Sequence, residues 1–174
     1  RRGKLWALQF EVQIAKLDAL SIDEQIALLQ NADVVVAANN VQLASVLFMR
    51  RFSTLIEVYP FGCLSNSYRM IASTMRIRHF SVISAPEPDA FIPCIRESNP
   101  IDSAAAATVI SAYQEALTIY EAHGTPVNLK LDEHYMYHAN QVATCAHRQK
   151  LRFDKQKVAD AIIADAIRQC RIEL

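Results

Sequence analysis

Glycine is scarce in this sequence: 174 residues hold only Gly3, Gly62 and Gly124. Three isolated glycines build no GxGxxG, no GxxxxGK[ST] and no GxSxG, so the nicotinamide, P-loop and nucleophile-elbow classes lack their phosphate-cradling or strained turns. Net charge is also missing, with 18 basic residues against 18 acidic ones. Nothing global therefore draws the chain to nucleic acid or to an anionic membrane. No apolar run reaches the roughly 20 residues that cross a bilayer. The four cysteines, Cys63, Cys94, Cys145 and Cys170, form no CxxC, which excludes the common structural zinc and thioredoxin-type spacings. Their wide separation favours free or half-buried thiols, with one or two disulfides in an oxidising lumen as the other reading. No N-x-S/T sequon occurs, since Asn66-Ser67 is followed by Tyr68.

What is present describes a well-cored globular chain, 52% apolar and 21% charged. It opens Arg1-Arg2-Gly3-Lys4 without methionine, which reads as a fragment or a processed chain. Leu8 to Leu17, "LQFEVQIAKL", alternates like a strand. Ser21-Ile22-Asp23-Glu24 is a capping box, opening a helix that turns Ile22, Ile26, Leu28 and Leu29 towards a core. "DVVVAA" from Asp33 is apolar enough for a strand buried on both faces. "VQLASVLFM" from Val41 is helical, "TLIEVYP" is a strand closed by Pro60, "SYRMIASTMRI" a helix, and "HFSVIS" a further strand ended by Pro86 and Pro88. Strands and short helices in alternation predict an α/β fold, a Rossmann-like parallel sheet with flanking helices, over roughly residues 8–85.

Residues 1–86 are thus expected to be the Rossmann-like core, residues 87–101 a proline-rich connector, and residues 102–174 a mainly helical extension packing on the core. Within that extension Asp102-Ser103 caps a long alanine-rich helix ended by Gly124 and Pro126. Asp154 to Leu174 repeats Val158, Ile162, Ile163, Ala166 and Ile167 at helical spacing.

Ligands of open parallel sheets sit beyond the carboxyl ends of the strands, here the loops after Val36, after Tyr59 and after Leu17. The first is the turn Asn39-Asn40-Val41-Gln42, where a helix start would aim amides and a positive dipole end at an anion. Asparagine tolerates left-handed backbone best among non-glycine residues, so Asn39-Asn40 can preserve a glycine-type turn; an ordinary Asn-capped turn is the alternative. Glu57, near the end of a core strand, faces a ligand such as ribose hydroxyls, or else lies in a buried salt bridge or on an edge strand. His134 and His138 stand four apart, with Glu133, Cys145 and His147 nearby, but the HExxH order is absent and a metal is the lesser reading. The basic run "HRQKLRFDKQK" reads as a solvated face.

The stretch Ser21 to Pro60 resembles the C-terminal half of glycosyltransferase family 61, which includes secretory-pathway O-linked N-acetylglucosamine transferases and plant xylosyl- and arabinosyltransferases. The shared pattern is Ser21, Glu24 and Gln25 at a helix start, Ala32-Asp33 leading a strand, then Leu43, Leu47-Phe48-Met49, Ile56-Glu57 and Pro60. "YRMIASTMRIRHFSV" fits the following tyrosine helix and strand, so the similarity covers about Ser21 to Val82. The resemblance implies the C-terminal half of a GT-B type fold that holds a nucleotide sugar, a UDP-sugar, for inverting transfer to a protein or glycan hydroxyl. It implies no metal or other cofactor, an acceptor site on an upstream half or another subunit, and a lumenal address in the endoplasmic reticulum or Golgi. Glu57 matches the family glutamate near the donor nucleotide. The family His-Gly-Ala-Gly falls on Asn39, Asn40, Val41 and Gln42, and its Thr-Asn on Ala44 and Ser45. Asn39, Asn40, Val41, Gln42, Ser45 and Glu57 are therefore the candidate substrate-binding residues, and no catalytic residue is assigned. Asn39 donates a hydrogen bond where the family histidine can also carry a proton or a charge. A non-catalytic structural or partner-binding module on the same scaffold is the alternative function.

Overall fold

The computed structural model describes residues 11–63, 67–98, 103–124, 129, 139–152, 155–156 and 158–163. Its centre is a parallel sheet of three strands, β1 (Val34–Ala38), β2 (Thr54–Tyr59) and β3 (Arg78–Ile83), in that spatial order. The register pairs Val34 with Thr54 and Thr54 with Arg78, and continues residue for residue along each ladder. β2 lies in the middle, and all six of its residues are buried. Its β-branched and aromatic composition suits a strand covered on both faces.

One face is covered by α1 (Ile22–Asn31), a 3₁₀-helix (Val41–Phe48) and α2 (Ser67–Thr74). Leu29, Leu43, Val46, Met49 and Ala72 pack there on Leu55, Val35 and Ala37. α1 starts as its capping box requires: the Glu24 amide donates to the Ser21 hydroxyl at 3.3 Å, and the Ser21 amide to the Glu24 carboxylate at 2.8 Å. Of its apolar residues Leu29 is buried, whereas Ile22 is exposed. The Val41–Phe48 element keeps i to i+3 bonding instead of relaxing to an α-helix.

The opposite face, made by Ile56, Val58 and Val82 with Val34 and Phe80, is covered by Leu151, Val158, Ala161 and Ile162. Residues 158–163 are helical, while Ala166 and Ile167 lie outside the described residues. The basic run is more than a solvated face, because its Gln149 is buried and bridges three elements. Its Nε2 donates to the Phe61 carbonyl at 3.0 Å, and its Oε1 accepts from the Tyr113 hydroxyl at 2.9 Å and the Glu87 amide at 3.0 Å. The Arg152 amide then donates to the Ser84 hydroxyl at 2.7 Å, and the Ala85 amide to the Arg152 carbonyl at 2.7 Å. These bonds tie the segment that precedes the 158–163 helix to the end of β3.

Three expectations are corrected. The alternating stretch Leu8 to Leu17 supplies no strand among its described residues: residues 11–16 carry no ladder, and Val12 and Ile14 are 80% and 96% exposed. Alternation marks an ability to pair, but a strand forms only where an edge receives it; a 3₁₀ turn at Leu17–Ala19 follows instead. The proline-rich stretch after Glu87 forms a helix, α3 (Pro88–Glu97). Pro88 sits at a helix start, where its missing N–H is no loss, and the buried face of Phe91, Cys94 and Ile95 outweighs the bond that Pro93 removes. Third, Cys94 and Cys145 are not free thiols but form a disulfide.

α4 (Ser103–His123) and α5 (Ala139–His147) complete a helical cluster with α3. Phe91, Ile95, Val109, Tyr113, Val142 and Ala146 are buried in it, with Phe61 reaching in from the end of β2. The Tyr113 ring stacks on Phe91 at 4.2 Å and meets Phe61 edge-on at 5.4 Å. Gly124 ends α4 at φ +63°, where a side chain would be strained. The Cys94–Cys145 bond joins α3 to α5 across a sequence separation of 51.

A closed loop of that length removes about 4 kcal/mol of chain entropy from the unfolded state. The Cys94→Ser/Cys145→Ser variant is expected to lose about that much in urea-unfolding free energy under non-reducing conditions. Added reductant should then have little further effect on the variant while destabilising the parent.

Candidate functional site

Side chains alternate along strands, so Val35, Ala37 and Asn39 share a face with Leu55, Glu57 and Tyr59, and with His79, Ser81 and Ile83. Asn39 extends the β1 ladder by one step, its amide donating to the Val58 carbonyl at 2.8 Å. That places its side chain beside Glu57, and Asn39 Nδ2 donates to Glu57 Oε1 at 2.5 Å. Two residues along β2, the Tyr59 hydroxyl donates to Oε2 at 2.6 Å. From β3, His79 Nε2 lies 2.7 Å from the same oxygen. A carboxylate only accepts, so the imidazole nitrogen carries the proton in that bond. The Ser81 hydroxyl in turn donates to the Tyr59 phenol.

Glu57 is completely buried, and all three strands supply it with a donor. Burial pushes its carboxyl upward. The bonds from His79, Tyr59 and Asn39, together with the imidazole charge, overcome that push and hold it below the ordinary value of 4.5. Burial and the neighbouring carboxylate push the Tyr59 phenol far up, so it stays a donor. Tyr68 on α2 is raised by burial and then by the Glu57 charge, which reaches the helix covering this face. The cluster is thus an ionised carboxylate in a dry, fully bonded seat: it receives hydroxyl or amide donors and gives up no proton at neutral pH.

The remaining candidates lie along the turn. Asn40 is extended, at φ −160°, and its side chain accepts from the Gln42 amide at 2.9 Å, capping the 3₁₀-helix. The left-handed geometry expected of Asn39-Asn40 is therefore corrected at Asn40, and the non-glycine residues at positive φ among those described are Phe52 and Arg76. Val41 is exposed. The Ser45 hydroxyl donates to Gln25 Oε1 at 3.2 Å, and Gln25 holds the Leu17 and Leu20 carbonyls, so Ser45 is tied to α1. The structure therefore joins Asn39 to Glu57, keeps Asn40 and Gln42 in the adjoining cap, and directs Ser45 elsewhere. A surface depression of about 490 Å³ along α2, lined by Arg69, Met70, Ser73 and Thr74, includes none of the six.

His79, Tyr59 and Ser81 are the members that sequence reading missed. Their signal was the parallel register of "TLIEVY" and "RHFSVI", which sets His79 diagonally beside Glu57. Among the described residues no three His, Cys, Asp or Glu side chains gather closely enough to hold a metal ion. Cys145 is consumed by the disulfide, burial lowers His147, and His134 and His138 lie outside the described residues. Burial raises the Cys63 thiol, which keeps it protonated and weakly nucleophilic. No family model, curated protein or solved structure matches the chain.

A depressed carboxyl contributes stability that is complete above its unfolded value, near 4.5, and is lost as pH falls through the lower folded value. Glu57→Gln is expected to cost about 3 kcal/mol at pH 7, because three buried donors lose a charged acceptor. Urea unfolding from pH 7 to pH 3 checks both points: the parent should lose more stability below pH 4.5 than the variant does.

Proposed function

We propose that the chain is a glycosyltransferase-like domain of the family 61 type. It is the Rossmann-like half of a GT-B arrangement, holding a UDP-sugar for inverting transfer to a protein or glycan hydroxyl. The observation that carries this reading is the meeting of Asn39 and Glu57. These two positions, 18 residues apart, were selected separately by the resemblance, and they touch towards the carboxyl ends of adjacent parallel strands. Glu57 is the carboxylate for the donor nucleotide, and the start of the 3₁₀-helix at Val41 is the position for its phosphates, with the Gln42 amide already taken by the Asn40 cap. The donor is the bound small molecule, with no metal required, and the acceptor site belongs to an upstream half or another subunit. The Cys94–Cys145 disulfide supports a compartment of the secretory pathway, where such bonds persist.

A second reading, a non-catalytic module for structure or partner binding, is favoured by the commitments of the polar groups. Glu57 already has three donors, Asn40 caps its own helix, and Ser45 is tied to Gln25. The described strands also run in sequential order, so among them no reversal opens the crevice in which ligands of such sheets sit.

A heteronuclear NMR titration with UDP and a UDP-sugar separates the two. For the donor-binding reading, shifts cluster at residues 39–45 and around Glu57, saturate in the millimolar range, and vanish in a folded Glu57→Gln variant. A folded domain without shifts ends the donor-binding reading for this half and leaves the partner-binding module.

A further inference from the structure

We infer that Asn39 sets the affinity of this site, by placing its own amide on the Glu57 oxygen that a ribose hydroxyl would take. This rests on the reading of Glu57 as the carboxylate for the donor nucleotide. The two oxygens of Glu57 are held differently. Oε2 accepts from Tyr59 and His79, which come from β2 and β3 within the sheet. Among the described residues Oε1 accepts from Asn39 Nδ2, at the carboxyl end of β1, the end from which ligands approach a parallel sheet. Asn39 is itself buried, and its amide nitrogen lies within hydrogen-bond distance of that oxygen. Amide and hydroxyl offer a carboxylate the same kind of bond, so the two compete for one position.

The backbone makes this competitor removable. The Asn39 amide N–H remains on the Val58 carbonyl whatever side chain stands at the position, and Asn40 caps the next helix through its own side chain. Truncating Asn39 therefore leaves the turn anchored. It exposes one charged acceptor without a donor, a costly state that a hydroxyl from a ligand relieves. His79 and Tyr59 continue to hold Oε2, so the carboxylate keeps its ionisation and direction.

The test is calorimetric titration of the full chain and its Asn39→Ala variant with UDP and with 2′,3′-dideoxy-UDP. The variant should bind UDP roughly tenfold or more tightly than the parent, the size of one charge-assisted hydrogen bond, and show no gain for the dideoxy compound. Equal UDP affinity in parent and variant overturns the role of Asn39 while the donor reading stands. An equal gain for both nucleotides overturns it too, because the gain then owes nothing to ribose hydroxyls. No binding by either folded protein overturns the inference together with the donor reading. If Asn39→Ala does not fold, Asn39→Ser, whose shorter side chain also vacates the amide position, is measured against the same outcomes.

Discussion

A carboxylate with no exposure to water sits in the carboxyl-terminal half of the central strand, and the sheet is arranged around it. An ion in that position costs several kcal/mol unless donors surround it. Asn39 after β1, Tyr59 on β2 and His79 on β3 each supply one, so all three strands must be in their observed register for Glu57 to be tolerated. A slip of one residue in either ladder would turn Asn39 or His79 to the opposite face and leave the charge short of a donor. Polar specificity and hydrophobic burial thus select the same alignment, since that register also seats Leu55 against α1, the 3₁₀-helix and α2.

The described sheet has two apolar faces to bury, and other segments of the chain cover both. One face is closed by local crossovers. The other depends on residues more than 60 positions further along: Leu151, Val158, Ala161 and Ile162 cover it, and Gln149 and Arg152 fasten that segment to Phe61, Glu87 and Ser84. The α3–α4–α5 cluster is locked by the Cys94–Cys145 bond and by the Phe61–Tyr113–Phe91 rings. Because α5 leads directly into the fastening segment, the disulfide and the cover of the distant sheet face belong to one mechanical unit.

The proposed donor site is continuous with this structural economy. The groups that keep Glu57 ionised in a dry core also leave it aimed at the turn where a nucleotide would lie. The same groups satisfy it without a nucleotide. In that proposal stability and ligand affinity draw on one carboxylate, and the side chain of Asn39 stands where the two demands meet.

From Ser21 to Ile83 the order of elements was legible, because capping boxes, apolar runs and proline stops act within a turn or two of their own position. Ser21 with Glu24 and the Gly124 stop each appear where they were read, and "DVVVAA" forms its strand, but at an edge of the described sheet with Val36 44% exposed instead of buried on both faces. Glu57 stood out as an acid in a core strand, and its need for a partner followed from desolvation alone. The identity of that partner did not, since His79 lies 22 residues away and reaches Glu57 only through the parallel register. The pairing of Cys94 with Cys145, the helical state of the proline-rich stretch after Glu87, and the exposure of Val12 and Ile14 were equally beyond local pattern. In each case the outcome turns on whether a distant surface is present to receive the residue. Sequence alone determined which segments can form strands and helices and which side chain would need rescue from burial. Tertiary structure decided which surfaces met, and with them the donors that Glu57 obtained.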